Sequence, residues 1–414
     1  MPSTTAFTVN GRTYRPPNRP VAVICLDGSA DEYLDAAVAR DRMPNLKKMT
    51  LKGYRGLARA AMPTFTNVNN SSIVTGRPPS VHGIGGNFFF DTASGTEVMM
   101  NSATFLRADT LFPAAQRAGR KVAVITAKEK LRDIFASGLI AAGGIAFSSE
   151  KANKTTMGVH GIKKVEDLAG PTPEIYSGEA SLYVLRAGAA LLEAGRADFL
   201  YLSTTDYMQH KFAPAAPEIL DFYAGLDREI GRLLAAGAVV AVTADHGMNA
   251  KQNADGSPNI IYLESELCEA FGPGFRVILP ITDPYVAHHG ALGSFAQVHL
   301  PRGLAAGPVI NWLRARDGVT ECLDRDTAAR LMDLPPDRMG DLVVASARDV
   351  VLGRTPDYHD LKALHGALRS HGGRYEEMVP LVFSGPLSAA YAAVVAADVR
   401  NFDIFEIACN GVVG

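Results

Sequence analysis

The chain has 414 residues and a formal net charge of −2, and 47% of its residues are hydrophobic and 20% charged. This composition is typical of a soluble globular protein, and the near-neutral charge excludes the basic surface with which proteins bind nucleic acid or anionic membranes. No apolar run is long enough to span a membrane, and the N-terminal residues lack the pattern of a signal peptide. Four cysteines without a CxxC pair favour reduced thiols. We therefore expect a cytoplasmic protein, with a homodimer among the assemblies that the sequence allows.

The first element in chain order is a short hairpin within the first 20 residues, for which Asn10-Gly11 provides a turn. Continuous apolar runs follow at residues 21–26, 122–126, 199–203 and 239–243. Short runs of this kind are typical of strands that are buried on both faces of a sheet. Helical patterns, including residues 181–194 and 217–235, lie between these runs. The alternation of strand and helix predicts an α/β fold with a mostly parallel sheet flanked by helices.

The character of the sequence changes after the fourth strand. Between residues 250 and 358 the apolar runs are short and are interrupted by proline and glycine, which predicts a smaller α+β insertion that caps the edge of the sheet. Residues 379–385 form a last apolar run and are expected to be a buried core strand. The predicted organisation is a core of residues 1–249 and 359–414 with a cap of residues 250–358.

Three of the buried runs end in acidic residues. Asp27 follows the first strand, Asp206 the third, and Asp245-His246 the fourth. Each one alone is ambiguous, because an aspartate after a strand is often only a helix cap. In a parallel sheet, however, ligands bind outside the carboxyl ends of the strands, so we expect these side chains to meet at one edge.

Histidines accompany these carboxylates. His210 follows Asp206 by four residues, a spacing that places both side chains on one face of a helical turn, and His371 lies in a glycine-flanked loop. A lone histidine is more often a structural residue than a ligand. Carboxylates and imidazoles without thiolates are nevertheless the ligands of two-metal hydrolytic sites rather than of structural zinc sites. Their collection at one edge therefore predicts a two-metal site.

A stretch rich in hydroxyl and amide side chains, residues 62–76, provides a candidate nucleophile. We expect a turn over its first part and a helix that begins near Ser72. Helix N-termini attract anions, and a hydroxyl held there can attack a phosphoryl group if a metal ion lowers its pKa. The alternative is an ordinary capped helix.

As an ordered set, these motifs resemble the alkaline phosphatase superfamily, and they are most similar to its nucleotide pyrophosphatase/phosphodiesterase-like branch. The resemblance rests on Asp27-Gly28, on Thr66 ahead of Ser72-Ile73-Val74-Thr75-Gly76, and on Asp206-x-x-x-His210, Asp245-His246-Gly247 and His371-Gly372. It implies an alkaline phosphatase-like core that binds two zinc ions per subunit. The ligands of one zinc would be Asp206, His210 and His371. The ligands of the other would be Asp27, Thr66, Asp245 and His246.

The same resemblance implies further roles. Thr66 would be the nucleophile, with Thr64 as its local rival, and Asn87 would donate its amide to a phosphoryl oxygen. A turn residue is an equally good explanation of Asn87. His365 is a rival of His371 as a metal ligand, and we prefer His371 because its flanking glycines let the backbone approach a metal closely.

A lysine pair follows the second strand. If the segment stays extended, Lys128 and Lys130 lie on the same side of it, and two adjacent positive charges favour a bound anion. A solvated helix start explains the two lysines equally well. The segments 125–132, 335–341 and 365–373 resemble phosphonoacetate hydrolases. This resemblance implies that the two lysines bind the carboxylate of phosphonoacetate.

By this resemblance the protein would be an enzyme that cleaves the carbon–phosphorus bond of phosphonoacetate to acetate and phosphate through a phosphothreonine on Thr66, with His210 also contacting the substrate. A phosphodiesterase or nucleotide pyrophosphatase with the same metals is the alternative; Phe88, Phe89 and Phe90 offer it a base slot, but we expect them in the core. A phosphomutase and a non-catalytic anion-binding protein are weaker alternatives. A sulfatase is disfavoured, because no cysteine lies in a C/S-x-P-x-R context.

Overall fold

The structure, a computed structural model, describes residues 5–281, 291–364 and 366–413. The strands are β1 (Phe7–Val9), β2 (Arg12–Tyr14), β3 (Val21–Cys25), β4 (Tyr54–Arg59), β5 (Phe88–Asp91), β6 (Thr96–Met99), β7 (Val122–Thr126), β8 (Ile145–Ser148), β9 (Phe199–Ser203), β10 (Val239–Thr243), β11 (Asn249–Ala250), β12 (Ile260–Tyr262), β13 (Arg276–Ile278), β14 (Phe295–His299), β15 (Val319–Asp324), β16 (Leu342–Ser346), β17 (Val351–Gly353), β18 (Arg369–Ser370) and β19 (Met378–Phe383).

The α-helices are α1 (Asp31–Ala39), α2 (Pro44–Lys52), α3 (Thr66–Thr75), α4 (Pro79–His82), α5 (Phe112–Arg117), α6 (Glu129–Phe135), α7 (Met157–His160), α8 (Glu166–Ala169), α9 (Gly178–Glu193), α10 (Tyr207–Lys211), α11 (Pro217–Ala235), α12 (Leu263–Phe271), α13 (Ala306–Arg314), α14 (Arg325–Met332), α15 (Ala389–Ala397) and α16 (Ile404–Asn410). Short 3₁₀ helices lie at Ala103–Phe105, Ala152–Lys154, Pro336–Arg338, Pro356–Tyr358, Leu361–Ala363, Arg374–Glu376 and Asn401–Asp403. Within the described ranges, no helix combines the length and the apolar character needed to cross a membrane.

A seven-stranded sheet forms the centre of the molecule, in the order β4-β19-β10-β3-β9-β7-β8. The five strands from β10 to β8 are parallel, and β19 runs antiparallel to both β10 and β4. Helices α1, α2, α9 and α11 pack on one face, and α3, α5, α6 and α16 pack on the other. The predicted α/β class with a mostly parallel sheet is confirmed, and the runs at 122–126, 199–203 and 239–243 are strands with the predicted bounds.

A second, four-stranded antiparallel sheet has the order β13-β14-β16-β15. Helices α12 and α13 cover one of its faces through a separate apolar cluster. A further cluster joins this region to the core, where Phe65 packs against Phe295 with the rings in an edge-to-face arrangement. The sheet lies within the stretch predicted to be an α+β insertion. The β5–β6 hairpin, which precedes that stretch in sequence, also contacts this region, since the backbone N–H of Asn87 donates to the Pro280 carbonyl oxygen at 2.8 Å.

The N-terminal hairpin forms as the sequence indicates. Asn10 and Gly11 have φ values of 51° and 76°, and these positive values belong to the tight turn that joins two antiparallel strands.

Helix α3 begins earlier than the sequence predicts. It starts at Thr66 rather than near Ser72, so Ser72 lies in its last turns, and Gly76 ends it with a left-handed φ of 64°. The hydroxyls of Ser72 and Thr75 donate to the carbonyl oxygens four residues earlier, at 3.0 and 2.7 Å. These polar side chains therefore bond within the helix instead of breaking it.

At two further places the structure differs from the first of the alternatives that the sequence offers. Helix α6 begins at Glu129, so the segment with Lys128 and Lys130 does not stay extended. Phe88, Phe89 and Phe90 are half-buried on the β5–β6 hairpin rather than in the core. Both differences concern short segments whose environment is decided by tertiary contacts.

Candidate active site

The carboxyl ends of three neighbouring parallel strands carry the acidic residues. Asp27 lies two residues beyond β3, Asp206 three beyond β9 and at the start of α10, and Asp245 two beyond β10. Because β10, β3 and β9 are adjacent in the sheet, the structure brings these three carboxylates together at one edge. All three are buried.

Two groups of potential ligand atoms form at this edge, and in each group the atoms lie within 4.8 Å of one another. One consists of Asp206, His210 and His371, with Asp206 Oδ2 at 2.9 Å from His210 Nε2 and 3.6 Å from His371 Nε2. The other consists of Asp27, Asp206 and His246. The Nε2 of His246 is 3.2 Å from Asp27 Oδ1 and 3.7 Å from Asp245 Oδ2, so Asp245 lies beside the second group.

The orientation of the three imidazoles is set by the backbone. The Nδ1 atoms of His210, His246 and His371 lie 2.8, 2.9 and 2.7 Å from the carbonyl oxygens of Arg369, Gly247 and Thr64, respectively. A carbonyl oxygen can only accept, so each Nδ1 carries the hydrogen and each Nε2 faces the carboxylates. Metal-binding histidines typically donate their other ring N–H to a backbone carbonyl or a carboxylate in this way.

The buried carboxylates at this edge of the sheet favour the presence of a positive charge beside them. Burial, together with the nearby carboxylates of Asp206 and Asp245, raises the pKa of Asp27 well above its usual range. Burial alone would lower the pKa of His246, but Asp245, Asp27 and Asp206 outweigh it and raise this pKa to about 10. A divalent cation would relieve the repulsion among the carboxylates, and the oxygen and imidazole donors suit such a cation.

Thr66 lies at the start of α3, directly over the second group. Its Oγ1 is 3.2 Å from His246 Nε2 and donates to Asp27 Oδ1 at 3.5 Å. The hydroxyl of its rival, Thr64, instead donates to the Gly373 carbonyl oxygen and accepts the N–H of Gly372, both at 3.0 Å. The geometry therefore favours Thr66 over Thr64 as the hydroxyl that faces the site.

Most of the predicted site residues line one cleft of about 450 Å³, part of which is open to solvent, whereas Asp27, Asp245 and His246 are not part of its lining. Its lining consists of Phe65, Thr66, Asn67, Asn87, Lys128, Lys130, Leu131, Asp206, His210, Ile281 and His371. Although α6 begins between the two lysines, both reach the cleft. Burial alone would raise the pKa of Asp206, but His210, Lys128 and His371 hold it well below its usual range. The rival ligand His365 lies outside the described residues.

Asn87 lies at the base of the β5–β6 hairpin. Its Oδ1 is buried and has no hydrogen-bond partner among the described residues. Sequence reasoning missed Phe65, Asn67, Leu131 and Ile281, which also line the cleft. Asn67 directly follows Thr66, and that position at a helix start was the available signal. The three apolar residues have no such signal.

The comparisons with known proteins agree with this geometry. The crystal structures of phosphonoacetate hydrolase from Sinorhizobium meliloti 1021, in complex with phosphonoformate and with phosphonoacetate, superpose with a TM-score of 0.93 at 46% identity. Each superposition covers 99% of this chain and 100% of the Sinorhizobium meliloti chain. The predicted resemblance to phosphonoacetate hydrolase is therefore confirmed.

More distant relatives share the fold or part of the sequence. Murine ectonucleotide pyrophosphatase/phosphodiesterase 5 is 17% identical with a TM-score of 0.60, over 89% of this chain and 88% of its own, and shows the fold alone. The venom phosphodiesterases of Naja atra and Macrovipera lebetinus are 28% and 30% identical over 56% and 52% of this chain. The matched part spans only 26% and 23% of those relatives. Residues 21–368 match the family described as type I phosphodiesterase/nucleotide pyrophosphatase, and the chain belongs to that family.

Proposed function

We propose that this chain is a metal-dependent phosphonoacetate hydrolase, which cleaves phosphonoacetate to acetate and phosphate. The observation that carries the proposal is the shared cleft, in which Lys128 and Lys130 face the same space as Thr66 and the first ligand group. A cleft with a nucleophile at one position and two ammonium groups at another suits a small substrate with an anionic group at each end. The full-length likeness to phosphonoacetate hydrolase supports this choice of substrate.

Two zinc ions are proposed as the cofactor. One would be held by Asp206, His210 and His371, and the other by Asp27, Thr66, Asp245 and His246. When bound, they would lower the pKa of the Thr66 hydroxyl and offset the negative charge of the phosphonate. Support comes from the donor set and from the three Nδ1–carbonyl contacts, which direct each Nε2 to the same edge.

The residues of the chain then define the steps. Lys128 and Lys130 bind the substrate carboxylate, and the Asn87 amide donates to a phosphonate oxygen. The Oγ1 of Thr66 attacks phosphorus, so an O–P bond forms while the C–P bond breaks. The electron pair of that bond passes to the acetate carbon and is delocalised onto the carboxylate that the lysines hold. The proton that leaves the Thr66 hydroxyl, relayed by water, is taken up by this carbon and completes acetate.

The second half of the reaction restores the enzyme. A water molecule attacks the phosphorus of phosphothreonine 66, the O–P bond to the side chain breaks, and the Thr66 hydroxyl is regenerated as phosphate leaves. The same Asn87 amide faces the phosphoryl oxygens in both halves, because the phosphorus stays over the start of α3.

Residues 250–358 are proposed to act as a cap on the core formed by residues 1–249 and 359–414. Ile281 from this region lines the cleft. Arg338 donates to the carbonyl oxygens of Gly83 and Phe105 at 2.6 and 2.8 Å and so ties the region to the core. The four cysteines are free, which supports a reducing compartment such as the cytoplasm.

A phosphodiesterase or nucleotide pyrophosphatase activity is the second candidate, and membership of the family favours it. The half-buried Phe88 lines a separate small pocket with Arg354 and Tyr358. That pocket does not include the Thr66 hydroxyl, which weakens the case for it as the base slot of a nucleotide.

The test is phosphate release by the zinc-loaded protein from phosphonoacetate, with a nucleotide phosphodiester and 2-aminoethylphosphonate as comparison substrates. We expect release from phosphonoacetate to be fastest. Thr66→Ala should abolish it while its zinc content, measured by elemental analysis, stays near that of the wild type. Thr64→Ala is the matched control and should keep turnover. Preferential cleavage of the diester, or wild-type turnover by Thr66→Ala, would contradict the proposal.

A further inference from the structure

Asn70 occupies a central position beneath the site. It lies on α3 one turn after Thr66, and it is fully buried. Its Nδ2 donates to the Thr66 carbonyl oxygen and to Asp245 Oδ2, both at 3.0 Å. Its Oδ1 accepts from the hydroxyls of Tyr201 at 2.5 Å and Ser203 at 2.9 Å. One amide therefore contacts α3, the end of β10 and the end of β9.

The orientation of this amide is fixed. Both groups that face Nδ2, a carbonyl oxygen and a carboxylate oxygen, can only accept hydrogen bonds, and the two hydroxyls that face Oδ1 can donate. All four hydrogen-bonding positions of the side chain are used, and a turned amide would lose both bonds to acceptor-only groups and place its own oxygen against the Asp245 carboxylate.

The Asp245 carboxylate is held on three sides. Its Oδ1 accepts the backbone N–H groups of Gly28 at 3.2 Å and of His246 at 3.1 Å. Among the residues that the structure describes, Asn70 supplies the one side-chain hydrogen bond to this carboxylate, to Oδ2, which is the oxygen that faces His246 Nε2. Removal of Asn70 would therefore free the oxygen nearest the second ligand group.

We propose that Asn70 is a positioning residue that fixes Asp245 in the second metal group and couples it to the helix that carries Thr66. The inference rests on the proposed function, because it takes Asp245 as a metal ligand and Thr66 as the nucleophile. Outer-shell partners of this kind change metal affinity by about 10- to 100-fold when they are removed.

Asn69 is a matched control on the same helix. It is as fully buried as Asn70 and makes as many hydrogen bonds. They join Ala61, Phe65 and Asn401, and none reaches a carboxylate of the site. Replacement of either asparagine removes a similar buried network, so stability alone does not distinguish them.

The experiment compares Asn70→Ala, Asn69→Ala and the wild type by zinc titration against a chelating indicator, with thermal unfolding measured in parallel. We expect both variants to unfold at lower temperature. Only Asn70→Ala should bind one of its two zinc equivalents about 10- to 100-fold more weakly, with the other equivalent unchanged. With phosphonoacetate at saturating zinc, its kcat should fall while KM stays near that of the wild type.

Tyr201→Phe provides a second variant that removes only a hydroxyl. It should shift the same zinc equivalent in the same direction, by a few-fold, and it decides the question if Asn70→Ala does not fold. Wild-type zinc affinity in both variants, or an equal loss in Asn69→Ala, would overturn the proposal. A wild-type protein that binds two zinc ions but does not cleave phosphonoacetate would overturn the proposed function and leave the role of Asn70 to be decided by affinity.

Discussion

Mild acid is expected to destabilise this protein through His82. The side chain is buried beneath α3, where its Nε2 lies 2.8 Å from Ser72 Oγ and its Nδ1 accepts the backbone N–H of Ile84 at 3.1 Å. Because Nδ1 already accepts a hydrogen bond, protonation must break that bond. Burial, with a smaller contribution from Arg338, lowers the pKa of His82 from 6.5 to about 3.

The sign and size of the effect follow from this difference. The folded protein keeps His82 neutral, whereas the unfolded chain protonates it near pH 6.5. The stability that it contributes is therefore present above pH 6.5 and is lost as the pH falls toward 3. For one group with these two pKa values, the free energy of unfolding decreases by about 1.3 kcal/mol between pH 7 and 5.5. The decrease is about 2.5 kcal/mol between pH 7 and 4.5.

The assay is urea unfolding of the wild type and of His82→Gln at pH 7, 5.5 and 4.5. The variant lacks the titrating group but keeps all others, so the difference between the two free energies of unfolding isolates His82. We expect the wild type to be the more stable at pH 7 and its advantage to shrink by the amounts above as the pH falls. A difference that stays constant across this range would refute the claim that the fold holds His82 neutral.

Two other perturbations give distinct outcomes. Lys128→Ala and Lys130→Ala should each lower kcat/KM for phosphonoacetate by about 10- to 150-fold, the equivalent of about 1.5–3 kcal/mol for a charge-assisted hydrogen bond, and spare a phosphate ester without a carboxylate. Equal losses on both substrates would argue against carboxylate binding. Gly372→Ala should lower the melting temperature and weaken zinc binding, because φ there is +120° and a Cβ would lie 2.5 Å from Phe65 Cε1. Gly256→Ala, at φ +85° with nothing within 4 Å, is its control, and similar behaviour of the two would rule out the contact with Phe65 as the cause.

The parts of the fold that the sequence predicted well are those with a local signal. Strands β7, β9 and β10 are continuous apolar runs, and α11 has a strong helical period between Pro217 and Ala235. The start of α3 was missed because serine, threonine and asparagine favour caps and turns when isolated. In the folded protein their side chains bond to carbonyl oxygens one turn earlier and to Asp245, contacts that a local pattern does not contain.

In the candidate site, too, some features have a signal in the sequence and others depend on tertiary contacts. Acidic residues at strand ends could be placed at one edge from topology alone, because parallel strands share that edge. The backbone oxygens of Arg369, Gly247 and Thr64, which orient the imidazoles, could not be predicted, since any residue type supplies a carbonyl. The approach of Lys130 to the cleft was predicted, but for the wrong local reason, because that lysine lies on α6.

The placement of β19 between β4 and β10 has a consequence for how the chain is made. Within the part of the chain that the structure describes, strand β4 pairs in the central sheet with β19 alone, and one side of β10 stays unpaired until residues 378–383 have been synthesised. An unpaired, apolar strand edge is a template for association with other chains, and pairing over so long a sequence separation is slow. In a nascent or truncated chain that ends before Met378, the strand edges of β4 and β10 that β19 later covers are therefore exposed. This intermediate, rather than the finished protein, depends most on protection from aggregation.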